Sequence, residues 1–207
     1  MSKVYAFLAD GLEEVECLGA MDILVRAGVE VTLVSVTGSR QVTGAHGFTI
    51  TADKLFEETD PAEADVLFLP GGMPGTKNLA AFEPLMEAVR QAAADGRRVA
   101  AICAAPSVLG DLGVLEGKKA TCYPGYEPRL KGAVPVKDGV VTDGNMTTAR
   151  GLGYALDLGL ELAGILTDRE TAAQIKAAIQ YVSFTRWTVA PVTFTPRSSA
   201  AWWTFSP

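Results

Sequence analysis

Val99-Ala100-Ala101-Ile102-Cys103-Ala104-Ala105-Pro106-Ser107 is an apolar run that passes directly into a helical pattern. Pro106 suits the first turn of a helix, where its missing N–H costs nothing. The strand therefore ends at Cys103, between small residues that permit a sharp turn. A buried strand feeding a helix without a long loop is the building unit of a parallel sheet.

The same alternation extends outward in both directions. Strand-like runs are Val4–Ala9, Val29–Val36, Val66–Leu69 and Val99–Ile102, with a further candidate at Ala120–Cys122. Helical patterns cover Glu13–Ala27, Leu79–Ala94, Pro106–Leu112, Leu152–Ala163 and Asp168–Tyr181. Gly28, Gly96, Gly113 and Gly164 follow four of these helices, as C-terminal glycines do. Short runs near Phe48–Thr51 and Val140–Thr142 are expected to add strands at a sheet edge. The order predicts a doubly wound α/β domain over residues 1–181, with no internal repeat and no low-complexity linker.

The last 26 residues, 182–207, break the pattern. They hold Trp187, Trp202 and Trp203, all the tryptophan in the chain, with Pro191, Pro196, Pro207 and almost no acid. Such a tail either docks aromatic surface on a neighbour or subunit, or is a readthrough or frameshifted end. No function attaches to it.

Bulk properties narrow the function classes. A chain of 207 residues with 48% hydrophobic and 20% charged residues suits one globular domain. The formal charge of −6 argues against nucleic acid, which needs a basic face. No stretch reaches the roughly 20 apolar residues of a membrane span. Met1-Ser2-Lys3 leads into a short apolar run that Asp10 ends, so the start reads as a buried strand rather than a signal peptide. Cys17, Cys103 and Cys122 are an odd set without C-x-x-C spacing, which argues against a disulfide framework or a structural zinc. A reducing, cytoplasmic setting is expected, with no metal or organic cofactor.

Cys103 carries the strongest chemical signal. At a strand–helix junction, unpaired N–H groups and the positive helix end face the side chain; they are expected to lower a thiol's pKa and to stabilise an anion. The carboxyl ends of parallel strands are also where such sheets bind ligands. The alternative is a buried cysteine acting as a small hydrophobe. Leu67-Phe68-Leu69-Pro70-Gly71-Gly72-Met73-Pro74-Gly75 ends on the same rim and exposes backbone N–H groups that, with the Ala104 N–H, form an oxyanion-type pocket. Most Gly-Gly pairs, taken alone, are only turns.

Asp10-Gly11-Leu12-Glu13-Glu14-Val15-Glu16 opens the first helix. Acids there are commonly explained by the helix dipole. Glu16 differs, because helical periodicity projects it between Ile23 and Ala27 and beside Ala20, away from Asp22 and Arg26. A carboxyl on an apolar face has a raised pKa, and when protonated it donates to a thiolate without repelling it.

Strand–D-G-x-E-E-x-E–helix, L-P-G-G and A-I-C-A-A-P, in that order, resemble the ThiJ/PfpI superfamily over about Lys3 to Tyr181, in the branch of the human parkinsonism-linked deglycase and its bacterial relatives. The resemblance implies a flavodoxin-like sandwich with helices on both faces of a mostly parallel sheet, and a homodimer. It implies a Cys103 nucleophile paired with Glu16, and an anion pocket at the Gly72 and Ala104 N–H groups. It also places Arg26, and Arg150 of Thr147-Thr148-Ala149-Arg150-Gly151, near the site or the dimer interface; each is otherwise an ordinary surface or structural arginine. Three departures bear on mechanism. Ala104 stands where the protease-like branch has histidine, which argues against a Cys-His peptidase or amidotransferase. Tyr123 stands where the deglycase branch often has histidine. His46, the only histidine, stands where some relatives carry arginine, and either binds an anionic substrate group or is structural. Cys17 and Cys122 read as core residues.

The implied activity is glyoxalase- or deglycase-like chemistry on small α-oxoaldehydes such as methylglyoxal, or on their adducts. Two further readings stand beside it. One is a redox-responsive stress protein or chaperone in which Cys103 becomes a sulfinate. The other is a thiazole-phosphate biosynthesis role, which no residue supports directly.

Overall fold

The computed structural model describes residues 1–181, so the 182–207 tail lies outside the described residues. In chain order the elements are β1 (Lys3–Leu8), α1 (Glu14–Arg26), β2 (Glu30–Ser35), β3 (Gln41–Thr43), β4 (Thr49–Thr51), β5 (Lys54–Leu55), β6 (Val66–Leu69), α2 (Gly75–Ala81), α3 (Glu83–Ala94) and β7 (Arg98–Ile102). There follow α4 (Pro106–Asp111), β8 (Lys119–Ala120), β9 (Val134–Pro135), β10 (Val140–Asp143), β11 (Met146–Ala149), α5 (Ala155–Leu166) and α6 (Arg169–Ala178). Short 3₁₀ turns link some of them, among them Leu152–Tyr154 before α5.

Seven strands form the central sheet in the order β10-β11-β7-β6-β1-β2-β5. All pairs are parallel except β10 with β11. Strand alternation divides the core between the two faces. Val4, Ala6, Leu8, Phe68, Ala100 and Ile102 pack with α1, α5 and α6, through Ile23, Leu24, Leu158 and Ile175. Tyr5, Phe7, Leu67, Leu69, Val99 and Ala101 pack on the other face with Leu85 and Val89 of α3 and Leu109 of α4. Because both faces are covered, the inner strands are continuously apolar, as the sequence pattern requires.

The register fixes where ligands can sit. From β1 the chain moves outward to β2, then returns to β6 on the opposite side of β1. The two crossovers part at the carboxyl ends of β1 and β6, leaving a crevice there. The turns Ala9–Glu13 and Pro70–Pro74 line it, and the end of β7 lies beside it through the Leu69–Ala101 pairing.

Several expectations are corrected. Thr49–Thr51 pairs with Gln41–Thr43 in a separate two-stranded hairpin, not on the central sheet, whereas Val140–Asp143 is an edge strand as expected. Lys119–Ala120 pairs with β9 outside the main sheet. The Leu79–Ala94 pattern is two helices broken at Phe82, since Pro84 has no N–H to continue the ladder. Gly28, Gly96 and Gly113 take positive φ beyond their helices, but Gly164 lies inside α5. A further strand, β11, runs parallel to β7 where no strand was expected. Its sequence Met-Thr-Thr-Ala lacks an apolar pattern, yet all four residues are buried. The hydroxyls are satisfied there: Thr148 Oγ1 accepts from the Thr121 N–H at 2.9 Å, and Thr147 Oγ1 lies 3.1 Å from Thr142 Oγ1.

Candidate active site

The site assembles from three turns at the crevice. In the first, Gly11 at φ 81 turns the chain from β1 toward α1, and Glu13 caps the helix, its carboxylate accepting from the Glu16 N–H at 2.5 Å. In the second, the Glu13 N–H donates to the Gly71 carbonyl at 2.9 Å, which ties α1 to the turn after β6. Gly71 is glycine for a steric reason: a Cβ there would overlap Glu16 Oε2 and sit 2.5 Å from the Cys103 Cβ. Glu16 and Cys103 thus meet across the space that Gly71 leaves open.

The third turn carries Cys103, whose φ of 64 lies in the left-handed region. A non-glycine residue held there costs on the order of 1–3 kcal/mol, which the surrounding bonds must offset. The Cys103 N–H donates to the Ala149 carbonyl at 2.9 Å, and its carbonyl accepts from the Tyr123 N–H at 2.8 Å. The backbone N–H groups of Gly72 and Ala104 act on the sulfur and favour its thiolate. The strand-to-helix reading of Val99–Ser107 therefore leads to a half-buried thiol on a strained elbow, with two backbone donors directed at it.

Glu16 is buried at 1% exposure, and its Oε2 has no hydrogen-bond partner. An ionised oxygen so placed is costly, and a proton on it removes the charge. Burial first, and the neighbouring Glu13 charge, push Glu16 up to about 7; Cys103 and the Gly71 and Leu152 N–H groups oppose them. The Cys103 thiol is also pushed up, by burial first and then by the charge and hydrogen bond of Glu16, while Gly72 and Ala104 pull the other way. Burial and an ionised Glu16 thus work against the lowered thiol expected at the helix end, and the two N–H groups work for it. With the proton on Glu16 the sign of that contact reverses, because the carboxyl then donates to the sulfur. The two groups titrate as a pair sharing a proton.

A stability consequence follows from the Glu16 proton. Its folded pKa, about 7, lies above the ordinary 4.5, so the folded state holds more protons between those values. Stability is fully present below about pH 4.5 and falls as pH rises through 7, by about 3 kcal/mol at most. Urea unfolding should show this loss in the wild type and a flatter profile in Glu16→Gln. Parallel profiles for the two proteins would show that Glu16 ionises freely.

The remaining expected residues divide. Tyr123 is brought to the rim: its ring packs 3.3 Å from where a Gly151 Cβ would stand, and its side chain is half exposed. Arg150 follows Ala149 on the same rim, its N–H bonded to the Gly139 carbonyl at 3.0 Å. Arg26 is not brought there; it is exposed in the last turn of α1 and pairs with Asp22 at 2.7 Å. Ten residues of helix, about 15 Å, separate it from Glu16. His46 Nδ1 lies 2.8 Å from Glu14 Oε2, and the His46 N–H donates to Glu14 Oε1 at 2.9 Å. Cys17 and Cys122 are buried as expected, their thiols pushed by burial up to about 12 and about 11.

Glu13 and Glu14 were legible only as dipole acids, yet both are buried. Glu14 pins the β3–β4 turn to α1 through His46, and those bonds outweigh burial to hold its carboxyl below the ordinary range. With His46, the two acids bring three ligand-type atoms within 4.8 Å of one another. The Glu14–His46 contact is already a closed hydrogen bond, so the group reads as an ion pair.

The chain is similar to known proteins over most of its described residues. Residues 2–164 match the model of the DJ-1/PfpI family. Protein DJ-1 homolog B of Arabidopsis thaliana is 37% identical over 86% of this chain, which spans only 41% of that relative's length. A deglycase of Pyrococcus abyssi is 35% identical over 72% of this chain and 89% of its own. The solved structure of oxidized Toxoplasma gondii DJ-1 superposes with a TM-score of 0.85 at 32% identity, covering 88% of this chain and all of that one.

Proposed function

The chain belongs to the DJ-1/PfpI family, and on that footing we propose that it is a cysteine-dependent enzyme of glyoxalase or deglycase type, acting on small α-oxoaldehydes or their adducts. The observation that carries the reading is the Cys103–Glu16 contact beside the Gly72 and Ala104 N–H groups. The Cys103 thiolate adds to the aldehyde carbon, and the carbonyl electron pair moves onto oxygen, where the two N–H groups hold it. Glu16 gives its proton to that oxygen, which completes a hemithioacetal. As carboxylate, Glu16 then takes the carbon-bound proton and returns it to the adjacent carbonyl carbon, while the hydroxyl proton of the hemithioacetal passes to that carbonyl's oxygen, leaving a 2-hydroxy thioester. Water cleaves the thioester to a 2-hydroxy acid and frees the thiol. No step needs a metal or an organic cofactor.

The family relation to a deglycase supports a small aldehyde or aldehyde adduct as substrate. A homodimer belongs to the same proposal, since Val15, Leu18 and Val25 leave apolar surface exposed along α1. Among the described residues no helix is long and apolar enough to cross a membrane.

A second reading has its own support. The two N–H groups and a protonated Glu16 are also suited to holding the oxygens of a Cys103 sulfinate, and the Toxoplasma gondii DJ-1 structure is that of an oxidized protein. Incubation with methylglyoxal, with lactate measured as product, decides between them. The enzyme reading expects steady turnover. No turnover with any small oxoaldehyde, together with a stable Cys103 sulfinate under mild peroxide, would instead establish the redox reading.

A further inference from the structure

The pair at the centre of the site has one proton to share, and its position decides whether Cys103 is a nucleophile. We propose that Glu13 is a positioning residue for this pair: its buried carboxylate keeps the shared proton on Glu16 and so leaves Cys103 as the thiolate. The inference rests on the assignment of Cys103 and Glu16 as the reacting pair.

Glu13 is held by two independent bonds. Its carboxylate accepts from the Glu16 N–H at 2.5 Å, and its own N–H donates to the Gly71 carbonyl at 2.9 Å. It is 7% exposed, so its charge is little screened by water; burial and the Glu14 charge push its own carboxyl up, and the Glu16 N–H and His46 favour the charged form. A negative charge there disfavours a second negative charge on Glu16. The Cys103 sulfur is acted on instead by Glu16 and by the Gly72 and Ala104 donors. Charge on Glu13 therefore costs the carboxylate form of Glu16 more than the thiolate form of Cys103, and the proton moves toward Glu16.

The groups facing Glu16 allow a clean accounting. From α1 these are Glu13 and the buried thiol of Cys17; from the β7 elbow, Cys103; and from the rim, Tyr123 beside Gly151. Gly71 and Leu152 offer only backbone. The hairpin contributes His46, whose Nδ1 is 3.8 Å from Glu13 Oε1 and 2.8 Å from Glu14. A protonated His46 partly offsets Glu13, so its removal acts in the opposite sense to removal of Glu13 itself.

Titration of the thiolate by its ultraviolet absorbance tests this without a substrate, with Cys103→Ser as the blank. Failure of the oxoaldehyde reading would leave this readout untouched. Glu13→Gln keeps an acceptor for the Glu16 N–H and loses only the charge. It should lower the ratio of thiolate to thiol at neutral pH about tenfold, with the missing absorbance appearing in an alkaline step. Glu13→Asp should stay within about twofold of wild type. His46→Gln, measured at about pH 6 where the imidazole is charged, should raise the ratio. A Glu13→Gln titration superimposable on wild type would overturn the proposal. So would a His46→Gln ratio that falls, or a wild type with no thiolate below the alkaline range.

Discussion

Cys103→Ser should remove oxoaldehyde turnover, by at least about 10³-fold, while the fold survives. Serine fits the elbow: it replaces sulfur by oxygen, and the bonds that fix φ at 64 are backbone bonds to Ala149 and Tyr123. It fails chemically, because an alcohol ionises far less readily than a thiol, and Glu16, protonated when the nucleophile attacks, is not then a base for it. Neither remaining thiol can stand in. Cys17 is fully buried with its thiol pushed up to about 12, and Cys122 is 3% exposed and pushed up to about 11. Iodoacetamide near neutrality should accordingly label the wild type at Cys103 and leave the variant unlabelled. Alkylation of Cys17 or Cys122 ahead of Cys103, or turnover retained in a folded Cys103→Ser protein, would place the nucleophile elsewhere.

How far the sequence revealed this site depends on which physical signal each residue emitted. The β7–Cys103–α4 junction was legible because an apolar run stopped at small residues just before a proline suited to a helix start. Glu16 was legible because one carboxyl interrupted an apolar helix face. β11 was hidden, since Thr147 and Thr148 are buried on the strength of hydroxyl bonds to Thr142 and the Thr121 N–H, and no pattern of hydrophobicity records such bonds. Glu13 and Glu14 were hidden for a related reason. Acids in a first helical turn are usual on the surface, and only the docking of the β3–β4 hairpin and the Gly71 turn buries these two. The role of Gly71 was legible as a turn but not as the gap through which Glu16 reaches Cys103, a contact made between segments far apart in the chain. Arg26 shows the converse: resemblance placed it near the site or the dimer interface, and its place at the end of α1 keeps it away from the site within one chain.

Glu16→Gln separates proton transfer from simple hydrogen bonding, because the two roles demand different things of the same oxygen. The amide matches the carboxyl in size, so the space at Gly71 stays filled and the α1 backbone keeps its cap on Glu13. It cannot give up a proton and take it back. If Glu16 shuttles protons, turnover should fall about 10²-fold or more, the usual scale for a lost general acid–base group. The loss should fall on kcat more than on KM, since the substrate pocket is unchanged. Sulfinate formation should behave otherwise. There Glu16 only donates a hydrogen bond to an oxidised sulfur, the amide N–H can do so too, and yield under mild peroxide should survive in part. Glu16→Leu should then be the harmful change, as it removes the donor while keeping an apolar side chain of similar size. A fully active Glu16→Gln enzyme would end the proton-shuttle role and direct attention to Tyr123, the next group on the rim with a proton to give.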